Sequence, residues 1–187
     1  DYKKQRLMGL KKRFVKNETL HSDYTTFMET IIEKGYAEKV PESEIERKDG
    51  KVWYIPHHSV YHPKKPSKIR VVFDCAASYM GTSLNKVLLQ GPDLTNSLIE
   101  VLLEFRQETV AIKSDIESMF YQVLVKPDDT DCLRFLWWPT GDIHLKPVVY
   151  RMKVHLFGAV SSPSCANVAL RKTVEDNQDQ FEPEVGN

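Results

Sequence analysis

Residues 111–123 read Ala111-Ile112-Lys113-Ser114-Asp115-Ile116-Glu117-Ser118-Met119-Phe120-Tyr121-Gln122-Val123. The apolar alternation predicts a strand over 110–116 that gives way to a turn or short helix. On such a strand Asp115 points opposite to Ile112, Ser114 and Ile116. A carboxylate at a strand end can hold Mg²⁺ through hard oxygen. An aromatic ring five residues on, Phe120, can form a floor under a sugar. Taken alone, an Asp after a strand is more often a turn former than a metal ligand.

A second segment reads Lys64-Lys65-Pro66-Ser67-Lys68-Ile69-Arg70-Val71-Val72-Phe73-Asp74. Lys68 and Arg70 fall on one strand face while Ile69, Val71 and Phe73 fall on the other. Paired cations can grip a polyphosphate, Arg through bidentate contacts and Lys as a mobile point charge. They also read as charges guarding a hairpin edge, with Asp74 pairing one of them. A third segment, Val154-His155-Leu156-Phe157-Gly158-Ala159-Val160-Ser161-Ser162-Pro163-Ser164, places a permissive glycine before a helix start. Ser162 is the expected N-cap, with Pro163 at the first helical position.

Around these segments the periodicity predicts further elements. Leu7, Leu10 and Phe14 outline a short basic helix. Tyr24, Phe27, Met28, Ile31 and Ile32 outline a second, capped by Ser22-Asp23 and stopped at Gly35. Residues 42–50 read as a loop. Strands over 52–61 and 69–73 form a hairpin across a basic turn. Leu98, Val101, Leu102 and Phe105 mark a helix. Strands over 132–138 and 148–155 pair through Pro139-Thr140-Gly141-Asp142, and Ala166, Ala169, Leu170, Thr173 and Val174 trace the last helix face. Helices and hairpins in this order predict an α+β fold.

The 187 residues suit one buried domain or two small lobes around a cleft. Hydrophobic residues make up 41% and charged residues 28%, an ordinary globular profile. No apolar run approaches the roughly 20 residues of a membrane span, and the stretch Asp1-Tyr2-Lys3-Lys4 lacks the apolar character of a signal peptide. The lack of an initiator Met suggests a piece cut from a longer chain. Cys75, Cys132 and Cys165 are widely spaced and suit thiols in a reducing compartment. Basic and acidic residues balance at 26 each, yet residues 1–16 carry Lys3, Lys4, Arg6, Lys11, Lys12, Arg13 and Lys16 against Asp1 alone. That arm reads either as a phosphate contact or as a solvated helix face. The stretch from residue 175 to 187 is acidic and without a base.

The three segments, in this order and spacing, resemble the reverse transcriptases of long-terminal-repeat retrotransposons, most closely the BEL/Pao group. Gly91-Pro92-Asp93-Leu94, Arg134-Phe135-Leu136-Trp137-Trp138 and Gly35-Tyr36-Ala37-Glu38-Lys39-Val40-Pro41 extend the likeness, which runs from about residue 6 to 175. The resemblance implies the fingers and partial palm of a right-hand polymerase. Residues 1–109 would hold the N-terminal segment and fingers, 110–176 the partial palm, and 177–187 an acidic tail. Asp115 would be one of three metal-binding carboxylates, with the Ile116 carbonyl as a further ligand, for Mg²⁺ or Mn²⁺. Phe120 would be the steric gate against a ribose 2′-hydroxyl. Lys64, Lys65, Lys68 and Arg70 would hold the incoming triphosphate, and Phe157 and Gly158 would line the nucleotide and template pocket. Retroviral relatives often carry a polar Gln at the Phe157 position.

The implied partners are an RNA or DNA template-primer, deoxynucleoside triphosphates and the rest of a Pol polyprotein: thumb, ribonuclease H and integrase. The implied place is intracellular, a cytoplasmic virus-like particle, with no membrane partner. One departure matters. The family takes two carboxylates from a Tyr-X-Asp-Asp hairpin, and no Asp-Asp pair occurs after Asp142. Asp128-Asp129 and Asp131 read as a solvated loop. The chain is therefore expected to be inactive alone, and a catalytically dead remnant that binds nucleic acid, or serves a structural role, is the alternative. The histidines His57, His58 and His62 lack a paired zinc pattern, and Trp53, Trp137 and Trp138 read chiefly as packing.

Overall fold

A computed structural model describes residues 2–47, 49–62, 65–107 and 109–180, without the side chains of Tyr2, His62 and residues 65–68. Two helices open the chain, α1 (Tyr2–Lys16) and α2 (Glu18–Glu33), followed by strand β1 (Ala37–Lys39) and a short helix α3 (Glu42–Ile45). The hairpin β2 (His57–His62) and β3 (Lys65–Phe73) comes next. Helices α4 (Leu84–Val87) and α5 (Leu98–Glu104) lead to a 3-10 turn, Met119–Gln122. A second 3-10 segment, Pro127–Leu133, precedes β4 (Arg134–Trp137), then β5 (Val148–Met152) and α6 (Ser162–Asp176). The fold is α+β.

The first sheet runs β1-β5-β4, all antiparallel, with Ala37 opposite Met152 and Trp137 opposite Val148. The second is the β2–β3 hairpin, in which Arg70 faces Val60 and Phe73 faces His57. A short parallel bridge at Tyr54 links the two regions. Ile55 N–H donates to the Arg134 carbonyl at 2.7 Å, and Arg134 N–H donates to Trp53 at 3.1 Å.

An aromatic core fills the space between α1, α2, the hairpin and β4. Phe14 meets Tyr24 edge-on at 5.1 Å, Tyr24 stacks on Trp137 at 5.4 Å, and Phe73 meets Phe135 at 5.1 Å. Such pairs add directional attraction to the burial of large rings. His57 sits inside this core. Its Nε2–H donates to the Leu136 carbonyl at 2.9 Å, which leaves Nδ1 to accept from the Tyr24 hydroxyl. Burial drives its pKa down to about 4, with the Leu136 bond opposing and the neighbouring His58 ring adding to the fall.

Beneath β1 and β4 lies a network of charges. Asp131 and Arg134 are each 0% exposed. Arg134 Nε–H donates to Asp131 Oδ1 at 2.8 Å, and its terminal nitrogens donate to the carbonyls of Glu44 (2.6 Å) and Ile45 (3.0 Å). Arg151 reaches Asp131 at 3.2 Å and Glu38 at 2.8 Å, and Arg47 donates to the other Asp131 oxygen. Burial acts to raise the Asp131 carboxyl, but the three guanidinium bonds outweigh it and leave it below its ordinary value.

Several expectations change. The acids after Pro127 are not all solvated: Asp128 and Asp129 are exposed, but Asp131 is the hub of that network. The loop expected over 42–50 contains α3, whose carbonyls receive Arg134. Helix α2 begins earlier than expected and is capped by Asn17, whose Oδ1 accepts from Leu20 N–H at 2.9 Å; Ser22 and Asp23 lie inside it. Ser161 takes the cap position of α6, without a side-chain cap bond, and Ser162 is its first helical residue.

The strand expected over 110–116 is not formed. Ile112 is 87% exposed, and no strand among the described residues offers its backbone a ladder. Alternation of side chains is a local property, whereas a strand needs a partner. Helix α5 forms, but no residue of it is buried, and the Leu170 and Val174 positions of α6 are likewise exposed.

Candidate functional site

The base of the hairpin, the 3-10 turn after Asp115 and the loop before α6 converge. The turn Met119–Gln122 starts from Ser118, held at φ 53°, and Tyr121 N–H donates to the Ser118 carbonyl at 2.7 Å. Residues 123–125 then run antiparallel to 153–155: Val125 N–H donates to Lys153 at 2.8 Å and His155 N–H to Val123 at 2.9 Å. This pairing brings Phe120 against Phe157. Their ring centroids lie 4.5 Å apart at 66°, an edge-to-face contact. Tyr121 backs the pair, 6.5 Å from Phe157 and 5.2 Å from Tyr36; burial lifts its hydroxyl to about 12. Phe120 is half-buried, and Phe157 is 56% exposed, so the pair presents an open aromatic wall.

Gly158 follows this wall with φ 99°, a conformation that favours glycine, and a Cβ there would stand 3.2 Å from the Phe73 carbonyl oxygen. The loop therefore lies directly on the end of β3. Asn85 fastens it: its Nδ2–H donates to the Gly158 carbonyl at 2.8 Å, and its Oδ1 accepts from Val160 N–H at 3.1 Å. Asn85 N–H in turn donates to the Cys75 carbonyl at 3.0 Å, so one residue ties the end of the hairpin to the loop. Nothing in the local sequence around Asn85 signals this, since its partners are remote.

Arg70 is exposed on β3, three residues before Phe73, while Val71 and Phe73 are buried on the opposite face. Lys65 and Lys68 lie on the same strand, with only their backbone described, and Lys64 lies outside the described residues. The aromatic wall and the strand that carries Arg70 are thus joined at Phe73 and Gly158. Asp74 stands 3.8 Å from Arg6.

Asp115 and Ile116 stand in the irregular, exposed stretch before the turn. Among the described residues Asp115 makes no hydrogen bond or ion pair, and no three His, Cys, Asp or Glu side chains gather as a metal site. A pair of hard cations takes oxygen from more than one strand. One carboxylate at 115 and a carbonyl at 116 do not make that site by themselves.

The chain matches no protein-family model and no curated protein sequence. No helix among the described residues is long and apolar enough to cross a membrane.

Proposed function

We propose that this chain is the fingers and partial palm of an RNA-directed DNA polymerase of the BEL/Pao retrotransposon type. Its residues hold the template-primer and the incoming deoxynucleoside triphosphate. The reading is supported by two contacts between separate sequence motifs: Phe120 on Phe157, and Gly158 on the Phe73 carbonyl at the end of the strand that bears Arg70. Arg70, with Lys68, Lys65 and Lys64, takes the triphosphate. Phe120 stands as the gate against a 2′-hydroxyl, rejecting ribose by clash. Phe157 and Gly158 carry the base and the template strand.

In the whole enzyme the primer 3′-hydroxyl would attack the α-phosphate, breaking its bond to the β-phosphate and releasing pyrophosphate; a bound Mg²⁺ or Mn²⁺ would supply electrostatic stabilisation there. Asp115 and the Ile116 carbonyl would supply part of the ligand set. Further carboxylates are required, so the activity proposed for these residues is binding rather than complete catalysis. The partners are those of a Pol polyprotein working in an intracellular particle.

Binding of a primed RNA template to the chain tests this reading. Affinity should fall steeply with salt, and Arg70→Ala should weaken it and lower the salt slope by about one. Binding that is indifferent to salt and to Arg70 would instead favour a structural domain whose charges are a solvated surface.

A further inference from the structure

Among the described residues the β2–β3 hairpin pairs with no further strand, so side chains must seat it on the body. Two of its side-chain bonds are at the surface: Arg13 donates to Ser59 at 2.9 Å, and Tyr61 reaches Asp23 at 3.5 Å. At the hairpin base, where His57 faces Phe73, the bonds run through one ring. His57 Nε2–H donates to the Leu136 carbonyl of β4, and Nδ1 accepts from the Tyr24 hydroxyl of α2. The rings of Phe73, Phe135 and Trp137 surround it at 5.6, 5.8 and 6.0 Å. A hollow of about 30 Å³, walled by Lys3, Arg6, Tyr54 and Leu136, reaches this ring. It has room for one water, and hence a route for a proton.

A proton on Nδ1 would turn that acceptor into a donor aimed at the Tyr24 hydroxyl. Tyr24 is 0% exposed, and its hydroxyl has no other acceptor among the described residues. The groups facing the ring offer the new charge no partner. From α1 come Lys3 and Arg6 at the hollow, with Arg13 acting on Tyr24. From α2 comes Tyr24 itself, and from β2 comes His58. Phe73 ends β3, and the Asp74 that follows stands by Arg6; on β4 the neighbours Phe135, Leu136 and Trp137 are apolar. The β1-β5-β4 sheet is held by its own ladders and by the Asp131–Arg134 pair, none of which passes through His57. We propose that His57 is a proton-operated lock at the base of the β2–β3 hairpin. Its neutral ring fastens the hairpin to α2 and β4; protonation of Nδ1 frees the hairpin base while the sheet stays folded. The lock is independent of what the hairpin holds, whereas emptying of a nucleotide site on its release rests on the reading above.

Cys75 is 1% exposed and lies two residues past Phe73, so its thiol reports on opening of the hairpin base. A dithiodipyridine reagent labels thiols in acid as well as at neutrality, and peptide mapping separates Cys75 from Cys132 and Cys165. The Cys75 rate, divided at each pH by that of the urea-unfolded chain, measures the open population. The open ring, near 6.5, binds its proton more tightly than the closed one, at about 4, so opening is favoured as pH falls. Between pH 7 and pH 5 the ratio should rise about twentyfold. His57→Gln should abolish the rise, and His155→Gln, which removes the other histidine depressed by burial, should keep it. Amide exchange in β4 and β5, corrected for the intrinsic effect of pH, should not rise in step. A flat ratio in the parent, an equal rise in His57→Gln, or a matching rise across β4 and β5 would overturn the lock; the first and last need no variant. No nucleic acid enters this experiment, so it bears on the lock alone, while Arg70-dependent template binding bears on the proposed function alone.

Discussion

The ring of Phe120 meets the ring of Phe157 edge-on, with centroids 4.5 Å apart. Two residues from different motifs thus form one aromatic wall, and Gly158 joins that wall to the strand carrying Arg70. If the wall is the sugar-facing side of a nucleotide site, Phe120→Ala should remove most of a preference for deoxyribonucleoside over ribonucleoside triphosphates. Equilibrium binding in the presence of a primed template measures it. An unchanged ratio would take the gate role away from Phe120.

The loop's shape rests on Gly158. A side chain there is strained at φ 99° and crowds the Phe73 carbonyl. Gly158→Ala should cost about 1–3 kcal/mol in denaturant unfolding. Asn85→Ala removes both clamps on the same loop and should weaken nucleotide binding more than global stability.

Asp131 is a stability residue. Replacing it by Ala leaves Arg134 buried without its counter-charge, which should cost about 3–5 kcal/mol. Its carboxyl is depressed in the folded state. The stability it contributes is therefore present above the unfolded carboxylate pKa, near 3.9, and lost as pH falls through the lower folded value. Asp131→Ala should be correspondingly less sensitive to acid below pH 4.

His57 acts in a higher window. Its folded pKa is about 4 while the unfolded ring titrates near 6.5, so between those values the unfolded chain binds more protons. Stability should fall as pH is lowered from 6.5 towards 4. Urea midpoints at pH 7 and pH 5 would show it, and His57→Gln should flatten that difference.

What was legible in the sequence was whatever local periodicity controls. Tyr24, Met28 and Ile31 face the core as their spacing requires, and Val71 and Phe73 share the buried face of β3. Asp131 was misread because its neighbours Pro127, Asp128 and Asp129 look like any polar turn; the arginines that bury it come from Arg47 and Arg151, remote in sequence. The alternation around Asp115 was real, but a strand is settled by its neighbour, and Ile112 has none in the described structure. Phe120 and Phe157 carried no sequence sign of touching each other. The family likeness gave each a role beside a nucleotide without setting them in contact, and Asn85 had no such guide.

The central claim is that the wall formed by Phe120 and Phe157 faces an incoming deoxynucleotide. Photocrosslinking with a deoxynucleoside triphosphate bearing a photoreactive base, in the presence of a primed RNA template, tests it most directly. The label should map to the peptides containing Phe120 and Phe157, be displaced by unlabelled deoxynucleotide, and weaken with Arg70→Ala. Label confined to other peptides, or label at the wall that unlabelled deoxynucleotide fails to displace, would contradict it.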